Sequence, residues 1–271
     1  MRNLLLLSVT LLIIVGCATS PAPVTPKVNE EELGRQAFDN GDYQGAVDCY
    51  NLWLAKYPES ADVLFERGRA YNKLQKYDLA LKDFETVIAR NPADLRPQVY
   101  RCGILIKLKK TAAKNYLAKL LSDPKFQELP VYEKFLAYLL DGQLKNSQGD
   151  FENSQASLDE AMKVYASGPD QFQREGNSTI YRLALRQRAI AYYSMGNHHQ
   201  AAADMEAYIQ LTEKVKGKAD SKDYQSLALV LYMTEEYDKC KKVIPAMIPQ
   251  DRQALADVFG DFFIEDAKAG K

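Results

Sequence analysis

The chain is poor in the residues that most often carry chemistry. Among 271 residues there are two histidines, His198 and His199, and one tryptophan. It has no HExxH pair, no CxxC pair and no glycine-rich phosphate loop, so the common metal and nucleotide signatures are absent. No serine stands in a nucleophile-elbow context. Net charge is also missing: 35 Lys and Arg face 36 Asp and Glu, a formal −1. That balance argues against broad charge-driven binding to nucleic acid. No apolar run reaches the roughly 20 residues that a membrane-crossing helix needs. What is present is ordinary for a globular chain, 46% hydrophobic and 26% charged, which argues against disorder and collagen.

The first 29 residues stand apart from the rest. Arg2 precedes a twelve-residue apolar run, Leu4 to Val15, broken only by Ser8 and Thr10. Its length suits the hydrophobic part of a secretory signal. Ile14-Val15-Gly16-Cys17 follows at once, and here the chain resembles a bacterial lipoprotein with its lipobox. The resemblance implies cleavage after residue 16 and palmitate-type acylation at Cys17. Several acyl chains anchor stably, because each buried CH2 contributes about 0.8 kcal/mol. An ordinary signal peptide with an incidental cysteine is the plainer alternative. Ala18, rather than Asp, follows the cysteine. In a host with two membranes this resembles the outer-membrane sorting class, facing the periplasm; in a Gram-positive host it implies the outer face of the plasma membrane. Pro21, Pro23 and Pro26 make residues 17–29 an extended tether, roughly 40 Å at about 3.1 Å per residue.

Beyond the tether, residues recur at a spacing of 34. Gly34 returns as Gly68, Tyr43 as Tyr77, Ala46 as Ala80, Tyr50 as Phe84 and Pro58 as Pro92. A glycine or small residue lets two helices press together, an alanine faces it from the second helix, and the proline stops that helix. The pattern resembles the tetratricopeptide repeat. It implies an all-α solenoid, a right-handed superhelix of helical hairpins, with about six hairpins over 30–250 and a capping helix and tail over 251–271. Weaker copies keep Cys102, Ala112 and Tyr116; Gly142, Gly149 and Leu158; Ala189, Ala201 and Met205; and Ala228, Tyr237 and Cys240. The third copy looks about two residues short at the turn Lys109-Lys110-Thr111, and Pro245 should shorten the last second helix. Asp251 is a plausible N-cap of the final helix, whose apolar face is Leu255, Val258, Phe259, Phe262 and Phe263. Closing the end of the solenoid is the bland role for that face; partner binding is the other.

Cys102 and Cys240 fall on small-residue positions and read, with Cys49, as reduced structural thiols, although an odd cysteine count in an exported chain also admits one disulfide. His198 sits in the turn slot of Tyr43 and Tyr77, where packing is the simpler reading than a metal site. No catalytic residue, metal or cofactor is expected.

The repeat resemblance also places a groove. Carried onto this chain, its lining positions are Arg35, Phe38, Phe65, Arg69, Asn72 and Lys73, with Arg96, Ile106 and Lys107 from the third copy. This basic stripe with two aromatics resembles grooves that clamp a peptide carboxylate, for which Arg and Lys are suited donors; a solvated groove without preference is the alternative. Later copies offer Leu139, Gln143, Asn146, Arg186, Tyr193, Gln225 and Tyr232. The expectation is a non-catalytic, membrane-anchored envelope scaffold that binds a peptide or protein. It resembles the lipoproteins that assemble pilus secretins or dock cell-wall hydrolases. A ligand-binding lipoprotein serving a small-molecule transporter is the second reading.

Overall fold

A computed structural model describes residues 29–172, 175–260 and 262. The signal, lipobox and tether fall outside the described residues, as does Phe263. Among the described residues there are helices and no strands. They pair in chain order as six hairpins: α1 (Glu30–Asp39) with α2 (Tyr43–Lys56), α3 (Ala61–Lys73) with α4 (Tyr77–Arg90), α5 (Arg96–Lys107) with α6 (Ala112–Leu121), α7 (Val131–Ser147) with α8 (Phe151–Ser167), α9 (Glu175–Ser194) with α10 (His198–Lys216), and α11 (Ser221–Met233) with α12 (Tyr237–Val243). α13 (Pro249–Phe259) closes the stack on α11.

Every hairpin turns in the same way. One residue adopts a left-handed backbone: Gly41 at φ 80°, Gln75 at 59°, Lys109 at 53°, Gly149 at 77°, Gly196 at 77° and Glu235 at 60°. The next amide reaches back to close the ending helix, from Asp42 to the Ala37 carbonyl at 2.9 Å and from Lys110 to that of Leu105 at 2.9 Å. This is the Schellman closure of a helix C-terminus. Asp42 then caps α2, accepting from the Gly45 amide at 2.9 Å, as Asn29 caps α1 through the Glu32 amide at 2.8 Å.

Within a hairpin, one small residue receives one large one 16 positions later. A Cβ on Gly34 would lie 2.4 Å from the Tyr50 ring, on Gly68 2.7 Å from Phe84, and on Gly142 2.5 Å from Leu158. Tyr50, Phe84 and Leu158 are all fully buried, so the close approach of the two helices is filled rather than empty. Cys240 serves as a small residue in the sixth hairpin, its thiol donating to the Ala228 carbonyl at 3.2 Å. Burial pushes the thiols of Cys102 and Cys240 up to about 11.

The third hairpin departs from expectation. Its turn is not short: Lys109 lies 34 residues after Gln75 and has the same backbone. The shortfall lies beyond the turn, where Ala113 and Leu117, not Ala112 and Tyr116, face the core. Tyr116 is exposed and carries the Arg101 guanidinium 4.1 Å over its ring. α6 has ten residues against fourteen in α2 and α4, and the 3-10 turn Pro124–Glu128 fills the gap with the buried ring of Phe126. Pro245 ends α12 at Val243 and passes the chain into a 3-10 turn. Asp251 is not the N-cap of α13; the helix starts at Pro249 after Ile248, and Asp251 in its first turn accepts a hydrogen bond from Ser221. Val258, expected on the apolar face, is 71% exposed.

Candidate functional site

The first helices of consecutive hairpins touch, α1 with α3, α3 with α5, α5 with α7 and α7 with α9. They form one continuous inner wall, and the N-terminal part of that wall gathers the expected basic residues on aromatic supports. Arg69, from α3, lies 4.7 Å over the Phe38 ring, 5.9 Å from that of Phe65 and 5.7 Å from that of Tyr100. Its Nη1 pairs with Glu66 at 2.7 Å. Phe65 is 3% exposed and packs on Phe84 and Tyr100; it is the floor beneath Arg69 and Arg96 rather than a free aromatic.

The other cations divide into two kinds. Arg35 is spent on Glu31, one helical turn away. Arg96 is held by Asp94 at 2.8 Å and Asp62 at 3.2 Å while lying over Phe65 at 5.0 Å. Lys73 and Lys107 have no carboxylate in ion-pair range among the described residues. Each instead rests on the turn aromatic of the preceding hairpin, Lys73 at 6.0 Å from Tyr43 and Lys107 at 5.6 Å from Tyr77, contacts that favour the cation modestly. Burial, then the charges of Arg69 and Lys107, hold the Lys73 ammonium below its usual range, and burial does the same to Lys107. Two ammonium groups short of counter-charge, beside a third cation, make a place where an anion gains favourable contacts. Asn72 is half-buried on the same helix, and its Oδ1 is buried without a partner.

The repeat pattern did not point to three further residues of this wall. Tyr100, from α5, donates its hydroxyl to Glu133 at 3.3 Å. Glu133, from α7, is a buried carboxylate, raised above its ordinary pKa by burial against the opposing pull of Arg69. Tyr132 precedes it and is likewise pushed up to about 12 by burial. The register of Tyr132 and Glu133 is displaced by the extra turn Pro124–Glu128 that precedes them, whereas Tyr100 lies before that turn, 34 residues after Glu66.

The second half of the wall is different. Leu139 is core, 1% exposed. Asn146 is tied to Gln187 through its amide at 2.8 Å and 3.0 Å. Tyr232 is covered by Phe259 and Phe262. Arg186, paired with Asp223 at 3.3 Å, joins Tyr193, Ile190 and Leu229 around an open cleft of about 180 Å³ between α9 and α11. Gln225 binds the Asp251 carbonyl at 3.2 Å. His198 packs its ring 5.4 Å from Tyr193. Among the described residues no group of three His, Cys, Asp or Glu could hold a metal ion, and no helix is long and apolar enough to cross a membrane.

Paired helices closing on a small residue and stacked into one wall define an α-solenoid of helical hairpins. Residues 31–94 match the family profile of the tetratricopeptide repeat, and the hairpins that follow among the described residues continue the same stacking. The small glutamine-rich tetratricopeptide repeat-containing protein 2 of Saccharomyces cerevisiae is 25% identical over 148 residues, covering 54% of this chain and 39% of that protein. The Hsp70-Hsp90 organizing protein of Triticum aestivum is 22% identical over 255 residues, covering 85% and 42%. The chain thus spans less than half the length of these relatives. Among solved structures, Pseudomonas aeruginosa PilF superposes with a TM-score of 0.62 at 14% identity, covering 89% of this chain and 96% of that one. PilW, described as a widely conserved type IV pilus biogenesis factor, gives 0.57 at 18% identity, again covering 89% and 96%. At such identities these likenesses establish the fold.

Proposed function

We propose that this chain is a non-catalytic interaction scaffold of the bacterial cell envelope, held at a membrane through Cys17, which takes an acidic or C-terminal peptide segment of a partner protein in its N-terminal groove. One observation carries the binding reading: Lys73 and Lys107 have no carboxylate partner among the described residues, Lys73 lies within reach of the charges of both Arg69 and Lys107, and all three cations rest on aromatic rings. Charge-assisted hydrogen bonds from such donors are stronger than neutral ones, and a guanidinium can engage both oxygens of a carboxylate. The anchor rests on the Ile14-Val15-Gly16-Cys17 motif alone. Shared fold with PilW and PilF makes pilus or secretion machinery the first pathway to test, with cell-wall machinery next. The transporter-serving reading calls for a closed apolar pocket on the inner wall, where the α9–α11 cleft is open and small.

Capture of the tethered protein from its native envelope, with mass spectrometry, identifies the partner. Arg69→Glu with Lys73→Glu should then weaken that partner about a hundredfold, the order of two lost charge contacts. Unchanged affinity would remove the basic stripe from the mechanism. Cys17→Ser should move the protein from the membrane to the soluble fraction and abolish palmitate labelling; retention with label would disprove the anchor.

A further inference from the structure

A second charged cavity lies away from the groove, where the ends of α8 and α10 meet the beginning of α9. Its volume is about 670 Å³, within the range of small-molecule sites. Arg182 lines it and is 4% exposed. The guanidinium donates from Nη1 to the Thr212 hydroxyl at 3.2 Å and from Nη2 to that of Thr179 at 3.1 Å. Its Nε is buried without a partner, and among the described residues no carboxylate comes within ion-pair range. The comparison with its neighbours is direct: Arg67 grips Asp83, and Arg188 grips Asp204 and Asp159. Thr212 is itself engaged, donating to the Tyr208 carbonyl at 2.7 Å, so it offers Arg182 a lone pair and no charge.

A buried cation left without counter-charge is unfavourable by several kcal/mol. Of the five N–H donors of a guanidinium, two are used here, which leaves Nε–H and one hydrogen on each terminal nitrogen. Lys214 adds a second positive charge to the lining. Ser178 lies on one side, and much of the remaining wall is aromatic or aliphatic. The rings of Tyr165 and Tyr181 stack with centroids 3.8 Å apart at 12°, and Phe172 and Leu211 complete the surface.

We infer that this cavity is a binding site for a small organic carboxylate with a planar apolar body, its carboxylate forked by Arg182 and neutralised with Lys214, its body against the Tyr165–Tyr181 stack. Phenylacetate, its uncharged amide phenylacetamide and inorganic phosphate, titrated into the full chain by calorimetry and by following the tyrosine ring resonances, test it. Phenylacetate should bind with Kd on the order of a millimolar, and the amide and inorganic phosphate about tenfold or more weaker. Lys214→Ala should weaken phenylacetate about threefold and Arg182→Lys, which keeps the charge and removes the fork, about tenfold. Arg182→Met should abolish binding; where circular dichroism shows that it fails to fold, the Lys214 and Arg182→Lys variants decide. Equal affinity for acid and amide, tighter binding of inorganic phosphate, no saturable shift, or binding indifferent to both variants would each overturn the assignment.

Discussion

Arg188 and Asp204 meet edge to edge, Nε and Nη2 each 2.8 Å from a different carboxylate oxygen, and Nη1 reaches on to Asp159 at 2.9 Å. The two residues stand 16 apart, immediately before the small residue Ala189 and the large residue Met205 that close the fifth hairpin. Arg67 and Asp83 repeat the arrangement in the second hairpin at 2.9 and 2.7 Å. The position beside the helix crossing is thus a polar lock in four of the six hairpins, taken in the third by Arg101 over Tyr116 and in the fourth by Asp141, which accepts from Ser157 at 2.6 Å; Leu33 with Cys49 and Leu227 with Val243 stand there in the first and sixth.

Removing Arg188 leaves Asp204 buried and unmatched, whereas Arg188 without Asp204 would still hold Asp159. Asp204 is only 6% exposed, so Arg188→Met should lower stability by about 3 kcal/mol, read as a fall in the midpoint of urea unfolding. Arg188→Met combined with Asp204→Ala should cost less than Arg188→Met alone, because the buried carboxylate is gone. A single variant within about 0.5 kcal/mol of the parent would show that the lock contributes only as a surface pair does.

The crossing itself predicts a coupled pair. Gly142→Ala places a methyl 2.5 Å from Leu158 Cγ, an overlap that should cost about 1–3 kcal/mol. Leu158→Ala should cost about 2–5 kcal/mol by leaving a cavity. The double variant should be more stable than the sum of the two, since the new methyl enters the vacated space. Strict additivity would mean that the overlap is relieved by movement elsewhere.

How much of this was legible in the sequence follows from which contacts are local. Gly34, Gly68 and Gly142 are readable because the pressed helices demand them, and their large partners follow at a fixed interval. The third hairpin is not legible by the period because its small and large positions, Cys102 and Leu117, stand 15 apart rather than 16, so the fixed interval lands on the exposed Ala118, and the aromatic Tyr116 beside it is exposed as well. The groove cations were legible by position, but their pairing was not: that Arg35 and Arg96 are neutralised while Lys73 and Lys107 are not depends on where Glu31, Asp62 and Asp94 come to lie. Glu133 was invisible to the period because an inserted turn precedes it. Arg182 carries no motif at all; only its burial among threonine hydroxyls distinguishes it.

The left-handed turn residues give a third test. Gln75, Lys109 and Glu235 hold a backbone that glycine takes in the other three turns. A side chain there is unfavourable by roughly 1–2 kcal/mol, partly offset by the entropy glycine loses on folding. Gln75→Gly, Lys109→Gly and Glu235→Gly should each stabilise by about 0.5 kcal/mol and raise the melting temperature, whereas Gly149→Ala should lower it. A loss of stability in all three glycine variants would place the strain elsewhere.

Glu133 supplies the pH dependence. Burial raises its carboxyl above the ordinary 4.5, with Arg69 and the Tyr100 hydroxyl pulling the other way without cancelling it. The folded chain therefore holds this proton more tightly than the unfolded chain does. Below pH 4.5 the group is protonated in both states and contributes nothing to the difference. As pH rises from 4.5 through the raised folded value, the unfolded chain ionises first and stability falls, reaching a constant deficit above that value. Glu133→Gln should remove this decline. Its unfolding free energy, plotted against pH, should gain steadily on the parent across that window and run parallel to it on either side. Curves parallel throughout would mean that the carboxylate is fully compensated by Arg69 in the folded protein.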